Sequence, residues 1–313
     1  MKFKKTLVIA IPTYNRKNIL NIWLKKHIDL MQSNGVHIHI QDNNSSDKTV
    51  YLLKSWQKKY SNLSFSVNKK NLKDKNFEVC INSVNANFVW LIGDSYYIPK
   101  NLLDKVFHVI NNNSPLFILT NLKGIIKNLN DGPVDSDIVF ERLSGILSCI
   151  SCTIYNKEKL GKIKFKEVTW SRFAHTIYIL NQLKTRDAKA YWISSSINNL
   201  QLKIQNKVNW ANTDKVFQIG CKNWIQSIDY LKGFTNLSKK KSYRLFSEAT
   251  NLFNFKGGLW LRAQGLLSFS IIKCFRRDLK KSVGEKYLLL YIIALIPVFI
   301  LKNLKDIYNK YRL

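Results

Sequence analysis

The chain has 313 residues and a formal net charge of +30, with 50 Lys and Arg against 20 Asp and Glu. This length allows one large domain, or a domain and a half, with a substantial buried core. The five cysteines form an odd, scattered set that excludes a regular disulfide framework. Cys149 and Cys152 have redox or zinc spacing without a second pair, and "LSCISCTIY" is typical of a buried strand, so we expect a structural role and a reducing compartment.

The positive charge has three possible origins: nucleic-acid binding, attraction to an anionic membrane, or a composition biased towards Lys, Asn and Ile. Lys and Asn recur along the whole chain, so biased composition contributes. A basic surface near a bilayer still gains roughly 1 kcal/mol per nearby Lys or Arg. The apolar run in "MKFKKTLVIAIP" is too short for a signal peptide, and we expect none.

The first half of the chain alternates strand and helix patterns. Strands are predicted at "TLVIAI", "VHIHI", "LSFSV" and "FVWLI", with helices near 17–33, 49–60 and 77–86 between them. Gly35 stands where a left-handed residue would close the first helix. Repeated strand–helix–strand units predict right-handed crossovers and a mostly parallel sheet.

The second half is less regular. "PLFILTN", "DIVF" and "AKAYWISSSI" predict strands, "GILSCISCTIYN" predicts a strand or a helix end, and "TWSRFAHTIYILNQL" predicts an amphipathic helix. Residues 287–301 carry no charge, but Pro297 interrupts them, and a spanning helix needs about 20 apolar residues. We prefer an interfacial or re-entrant membrane anchor; a tilted span and a helix buried in the protein or an oligomer are the alternatives.

Three polar clusters follow three of the predicted strands: "PTYNR" at 12–16, "DNNSSD" at 42–47 and "GDSYY" at 93–97. In open parallel sheets, ligands bind outside the carboxyl ends of the strands. Because all three clusters fall at such ends, we expect them to form one shared site.

Together, "VIAIPTYNR", "IHIQDNNSSDKT", "NKKNLKDKNF" and "VWLIGDSYYIP" resemble the family 2 glycosyltransferases, and more narrowly the bacterial members that build capsule, lipooligosaccharide and O-antigen chains. The match covers about the first 105 residues, continues loosely to Leu183 and then fades. The resemblance implies an α/β GT-A fold, with a Rossmann-like, mostly parallel sheet flanked by helices over residues 1–215. Residues 216–313 would form an α-helical, membrane-associating region.

The resemblance also implies nucleotide-binding residues. Pro12, Thr13, Tyr14 and Asn15 match the family's nucleotide-binding turn, and an aromatic ring such as that of Tyr14 can stack on a base. Asp42 matches the acid that accepts a hydrogen bond from the uracil ring N–H in uridine-diphosphate enzymes.

Three asparagines complete the predicted nucleotide site: Asn43, which follows Asp42, and Asn71 and Asn76 in the next polar loop. The alternative for Asp42 and Asn43 is an ordinary turn that the side chain stabilises. A structural role is likewise the alternative for Asn71 and Asn76.

Family members commonly read Gly-Asp-Asp-Asp where this chain has Gly93, Asp94, Ser95 and Tyr96. Their Asp-x-Asp pair holds Mn²⁺ or Mg²⁺ against the diphosphate. The resemblance therefore implies that Asp94 is catalytic and binds a divalent metal, with phosphate oxygens and waters in place of the acid that Tyr96 replaces. The alternatives are metal-independent transfer assisted by Lys and Arg, and an inactive site.

An inverting transfer needs a base that deprotonates the acceptor hydroxyl. The family's usual Glu-Asp pair is absent from "KFKEVTWSRFAHTIYI", which leaves His175 and Glu167 as catalytic candidates. A structural role is the alternative for His175. Trp170 and Arg172 are expected to line the acceptor pocket.

We therefore expect a hexosyl- or N-acetylhexosaminyltransferase that uses a UDP-linked donor and a glycan or lipid-linked glycan acceptor in bacterial surface polysaccharide synthesis. It would be cytoplasmic and bound peripherally to the anionic inner face of the plasma membrane. One alternative is a non-catalytic relative that binds a nucleotide sugar or acts as a scaffold. A nucleic-acid-binding protein is disfavoured, because no recognition motif is present and the acids at the strand ends would repel nucleic acid.

Overall fold

The structure is a computed structural model that describes residues 5–165, 172–200, 211 and 213–302. Two compact units make up the chain. The first comprises Met1–Ser136, Cys149–Lys166 and Gln182–Lys203, and the second comprises Asp137–Ser148, Glu167–Asn181 and Ile204–Leu313. Each unit is built from separate stretches of sequence. The single boundary expected after residue 215 stays a prediction.

The first unit contains a mixed β-sheet. Within the described residues the strand order is β3-β2-β1-β4-β8-β6-β9-β5, with β7 paired to β9. The strands are β1 Lys5–Thr13, β2 His37–Asp42, β3 Leu63–Val67, β4 Ala86–Leu91, β5 Tyr96–Tyr97, β6 Phe117–Leu122, β7 Gly132–Val134, β8 Thr153–Asn156 and β9 Ala190–Asn199.

The half of the sheet around β1 is parallel, as the sequence predicts: β1 pairs with β2 and β4, and β2 pairs with β3. The run Leu7–Ile11 is buried, as expected for a strand covered on both faces. Beyond β4 the sheet is mixed, because β8 runs antiparallel to β4 and β6, while β6 and β9 are parallel. "Mostly parallel" therefore describes only the first half.

Helices cover the sheet and form the second unit. Their bounds are α1 Lys17–Ser33, α2 Thr49–Gln57, α3 Lys75–Asn82, α4 Lys100–Asn112, α5 Ser136–Ile138, α6 Lys157–Leu160, α7 Ala174–Thr185, α8 Trp224–Tyr230, α9 Asn236–Thr250, α10 Phe255–Ala263, α11 Phe269–Cys274, α12 Arg276–Val283 and α13 Leu288–Leu295. Helix α1 buries its predicted apolar stripe, and Gly35 follows it with a φ of 65° in the left-handed region, as predicted.

Two segments differ from the sequence prediction. "DIVF" is helical, because α5 continues into a π-helical turn at Val139–Leu143. Its buried residues Val139, Phe140 and Leu143 repeat at a helical spacing rather than alternating. Cys149 and Cys152 lie at a 3₁₀ turn that precedes β8, not within a strand, and both are free thiols.

The charge-free run at 287–301 is not one continuous helix. It forms α13 as far as Leu295, and Pro297 separates α13 from the helical residues 298–302. Among the residues that the structure describes, no helix combines the length and apolarity needed to cross a bilayer.

Gly145 tests the packing of the second unit. A Cβ at this position would lie 2.2 Å from the backbone oxygen of Leu245 in α9, and a helix backbone cannot rotate out of the way. We expect Gly145→Ala to lower the unfolding free energy by about 3 kcal/mol and the Tm by about 6–12 °C in a thermal melt followed by circular dichroism.

Gly93→Ala is the matched control, because the nearest neighbour of a Cβ there would be Tyr96 Cδ2 at 3.5 Å, an ordinary contact. Its Tm should stay within about 2 °C of the wild-type value. An equal decrease in Tm in Gly93→Ala and Gly145→Ala would contradict the importance of the close backbone approach at Gly145.

Candidate active site

The polar clusters after β1 and β2 are adjacent at the carboxyl edge of the sheet. Thr13 and Asp42 are paired in the strand register, and the Asn43 N–H donates to the Thr13 carbonyl over 2.9 Å. The parallel pairing of β1 and β2 therefore places the predicted nucleotide-binding turn beside the predicted uracil-binding acid.

Side chains then lock the two clusters together. Asn15, with a left-handed φ of 50°, donates its N–H to Ser45 Oγ over 2.8 Å and accepts from the Ser46 N–H over 2.8 Å. The Lys17 N–H donates to Asp47 Oδ2 over 2.9 Å, so the second cluster caps the start of α1. Asn15 thus holds the turn in place, while Tyr14 projects outward with 43% of its surface exposed.

Asp42 is completely buried. Its Oδ2 accepts from the Ser45 N–H over 2.9 Å, but neither its Oδ1 nor the hydroxyl of Thr13 has a hydrogen-bond partner among the described residues. A buried acceptor without a partner costs about 1–3 kcal/mol. A donor on a ligand, such as an imide N–H, would recover part of that energy.

The three predicted asparagines form one amide network. Asn43 Nδ2 donates to Asn71 Oδ1 over 2.9 Å, and Asn68, which the sequence analysis missed, donates to both Asn43 Oδ1 over 2.9 Å and Asn76 Oδ1 over 2.7 Å. Asn76 in turn donates to the Gln41 carbonyl over 3.3 Å. These bonds hold the loop after β3 against the end of β2, and a direct contact with nucleotide stays a prediction.

The third cluster joins the first through an ion pair. Arg16 Nε lies 3.0 Å from Asp94 Oδ2, and Arg16 Nη2 donates to Ser95 Oγ over 2.7 Å. The Asp94 side chain is only 3% exposed, whereas that of Arg16 is 29% exposed. The three clusters therefore form one connected edge. Arg16 was not among the predicted site residues, although it directly follows the nucleotide-binding turn.

Helix α1 also anchors the turn that carries Asp94. Trp23 Nε1 donates to the Tyr96 carbonyl over 2.8 Å, and the Ile98 N–H donates to His27 Nε2 over 3.1 Å. Burial lowers the pKa of His27 to about 4, so its ring stays neutral and can accept this bond at neutral pH. The buried stripe of α1 thus fixes the turn as well as the core.

Tyr96 does not replace the missing acid as a metal ligand. The neighbouring thiols of Cys149 and Cys152, together with burial, raise the pKa of its phenol. A protonated phenol supplies no anionic oxygen, and divalent metals such as Mg²⁺ are bound chiefly by anionic and carbonyl oxygens.

The remaining side chains do not fit a divalent cation in the observed arrangement. The Arg16 guanidinium alone would repel a doubly charged ion about 5 Å away by roughly 7 kcal/mol at an effective dielectric constant of about 20, which offsets most of the attraction that the Asp94 carboxylate would exert. Within the described ranges, no group of three or more His, Cys, Asp or Glu side chains is placed to hold a metal ion. The predicted metal site at Asp94 thus lacks both its second acid and a free carboxylate charge.

The candidate bases belong to the other part of the chain. His175 lies in the second unit, 4% exposed, with Nε2 3.3 Å from the Ser148 carbonyl oxygen, and the Thr176 hydroxyl donates to the Leu147 carbonyl over 2.9 Å. Nearby, Phe173 packs edge-on against Trp224. Glu167 and Trp170 lie outside the described residues, and Arg172 is described but has no established role. The catalytic role of His175 stays a prediction.

Comparisons with known proteins bear on the fold and the family of the chain. No curated protein sequence matches the chain at a significant level. TarS residues 1–349 from S. aureus, solved with UDP-GlcNAc, superimposes with a TM-score of 0.55 at 16% identity, covering 97% of this chain and 92% of that one. The mannosyltransferase PcManGT from Pyrobaculum calidifontis, solved with GDP-Man and Mn²⁺, gives a TM-score of 0.54 at 11% identity, covering 99% and 89%.

At these identities, the similarity to solved structures establishes the GT-A-like fold, with its central sheet and flanking helices. The sequence pattern described as "Glycosyl transferase family 2" matches residues 8–173, which is more than half of the chain and includes all three polar clusters. The chain therefore belongs to glycosyl transferase family 2.

Proposed function

We propose that this glycosyltransferase moves a hexosyl or N-acetylhexosaminyl group from a UDP-linked donor to a glycan or lipid-linked glycan in bacterial surface polysaccharide synthesis, with inversion. The observation that carries the proposal is the connected polar edge, in which Asn15 and Arg16 join the clusters after β1, β2 and β4. The solved structure of TarS contains UDP-GlcNAc, which supports a uridine nucleotide as the donor.

Each part of the edge suits one part of such a donor. The uracil ring would stack on exposed Tyr14 and donate its N–H to Asp42, whose Oδ1 has no partner among the described residues. The diphosphate would lie towards Arg16, beside Asp94. The acceptor hydroxyl then attacks the anomeric carbon and loses its proton to a base, for which His175 and Glu167 are the proposed candidates.

Two other functions compete with this one. A non-catalytic relative would bind the nucleotide sugar through the same edge without transferring the sugar. A nucleic-acid-binding role would draw on the net charge of +30, but the edge presents the buried carboxylates of Asp42 and Asp94. Binding and activity measurements separate the three.

Asp42 provides the binding test. UDP at about 100 times its Kd should stabilise the protein by about 2.7 kcal/mol, seen as a rise in Tm, and random-sequence DNA should not. Because the Ser45 N–H already uses one oxygen of Asp42, the single amide oxygen of Asp42→Asn would be taken and its NH₂ group would face the uracil N–H, so we expect the Kd for UDP to rise about tenfold or more.

Asp104→Asn is the control for Asp42, because Asp104 forms an exposed ion pair with Lys100 on α4. It should bind UDP as the wild type does. Stabilisation by DNA but not by any nucleotide would contradict the proposed function.

Asp94 provides the catalytic test. We expect Asp94→Ala to lower the transfer rate from a UDP-sugar at least about 100-fold, because it removes the carboxylate that positions the diphosphate-binding groups. Its far-ultraviolet circular dichroism should match that of the wild type. Screening a panel of nucleotide sugars, with and without Mn²⁺, would also identify the donor and test the predicted metal. Unchanged transfer by Asp94→Ala would contradict a catalytic role, and a wild type that binds UDP without any transfer would indicate the non-catalytic alternative.

We also propose that the second unit binds an anionic bilayer through the outward face of α13. Leu288, Ile292 and Leu295 on that face are 50%, 61% and 68% exposed, although the inward residues Leu290 and Ile293 are buried against α10 at Gly258. An amphipathic element of this kind suits a membrane surface when basic residues flank it. Here the flanks are Lys286 and Lys302, both exposed. Such binding would place the enzyme beside a lipid-linked acceptor.

Vesicle binding tests the outward face. Replacing Leu288, Ile292 and Leu295 by Ser should reduce co-sedimentation with phosphatidylglycerol vesicles more than about tenfold, since inserting each side chain is worth about 1.5–3 kcal/mol. Tyr51→Ser, which removes a single exposed aromatic from α2 in the first unit, is the control and should bind normally. Undiminished binding of the triple variant would refute the proposal. The proposal would also be refuted if the wild type does not bind vesicles but forms a dimer that the triple variant cannot form. That outcome would identify the outward face of α13 as a self-association surface.

A further inference from the structure

Arg16 places a positive charge beside Asp94, where the diphosphate of a bound donor is proposed to lie. It is the residue before α1, and its guanidinium covers the nearly buried carboxylate of Asp94 at 3.0 Å. A hydrogen bond from Nη2 to Ser95 Oγ over 2.7 Å also restrains the orientation of the group. The Arg16 guanidinium is thus held on one side by the turn after β4, and its side chain remains 29% exposed to solvent.

The geometry leaves this guanidinium with unused donors. A guanidinium carries five N–H donors. Asp94 and Ser95 engage two of its nitrogens, and no further side-chain partner of Arg16 is found among the described residues. The open donors form a planar fork that matches phosphate oxygens, which is why Arg is favoured at phosphate-binding sites.

The acid that would recruit a metal is absent from the same turn. Tyr96 stands in its place, and its ring lies 3.5 Å from where a Cβ on Gly93 would be. Asp94 alone is left, and its charge is already balanced by Arg16. This turn therefore has one fixed positive charge beside it, that of Arg16, and lacks the pair of carboxylates that would bind a divalent metal ion.

We propose that Arg16 is a catalytic residue that takes over the electrostatic role of the divalent metal, with Asp94 as its positioning residue, so that sugar transfer needs no divalent cation. The inference rests on the proposed glycosyltransferase function. In the reaction the acceptor oxygen bonds to the anomeric carbon, and the bond from that carbon to the diphosphate oxygen breaks. The electron pair leaves with the nucleoside diphosphate, and the hydroxyl proton passes to a base. Arg16 stabilises the negative charge that develops on the leaving oxygen.

Chelation gives the first test. In a transfer or donor-hydrolysis assay with UDP-sugars, wild-type kcat should change less than twofold between EDTA and added Mn²⁺ or Mg²⁺. Loss of about tenfold or more in EDTA, restored by Mn²⁺, would overturn the inference and leave the glycosyltransferase function intact. Absence of transfer and hydrolysis under every condition would instead contradict the proposed function.

Variants of Arg16 give the second test. Arg16→Ala should lower kcat about 10²–10³-fold. Arg16→Lys, which keeps the charge but loses the planar fork, should fall between Arg16→Ala and the wild type. Millimolar guanidinium chloride should restore part of the activity of Arg16→Ala, which a merely structural defect would not allow. Arg186→Ala is the matched control, because Arg186 is exposed and precedes β9 at the opposite edge of the sheet, and it should remain fully active.

Calorimetry in EDTA separates a phosphate contact from a folding effect. Arg16→Ala should weaken binding of UDP about tenfold or more and leave binding of uridine, which lacks phosphate, unchanged. Equal weakening of UDP and uridine, or full activity of Arg16→Ala, would overturn the inference.

Discussion

The ion pair between Arg16 and Asp94 is the contact on which the candidate site depends. It joins the turn after β1 to the turn after β4, and the bonds of Asn15 to Ser45 and Ser46 join the turn after β1 to the loop after β2. The same guanidinium also donates to Ser95 Oγ, so Arg16 makes two polar contacts between the turn after β1 and the turn after β4. The buried charge of Asp94 also needs a partner, because an unpaired buried carboxylate is strongly destabilising.

The buried face of helix α1 holds the candidate site in place. Helix α1 starts directly after Arg16, and its buried face supplies Trp23 and His27, which bond to backbone atoms of the turn that carries Asp94. The residues that pack α1 on the sheet are therefore the residues that position the carboxylate. A neutral His27 is part of this arrangement, since a protonated ring could not accept the Ile98 N–H.

The second unit contributes a different kind of surface. Its helix α13 is apolar on the side that packs against α10 and also on the side exposed to solvent. A buried helix needs only the first of these faces. The second, exposed apolar face accounts for the run of uncharged residues in the C-terminal part of the sequence, and it is the face that we propose binds a membrane surface.

Much of the first half of the fold could be predicted from the sequence, because the signals are local. An uninterrupted apolar run predicts β1, a glycine in the left-handed region ends α1 at Gly35, and polar residues directly after apolar runs mark the strand ends that carry Asp42 and Asp94. Local patterns failed at "DIVF", where four apolar and acidic residues fit a short strand as well as a helix. They failed again at Cys149 and Cys152, whose 3₁₀ turn has no distinctive residue pattern.

The sequence by itself determined the family, the order of the first strands and helices, and the loss of one acid at Tyr96. Only the tertiary structure decided which positive charge lies beside the acid that is kept, Asp94. Arg16 bonds with Ser95 at a separation of 79 positions and pairs with the neighbouring Asp94, and no local pattern predicts such a partner. The pairing depends on which strands lie side by side, and β1 and β4 become neighbours only when the sheet assembles.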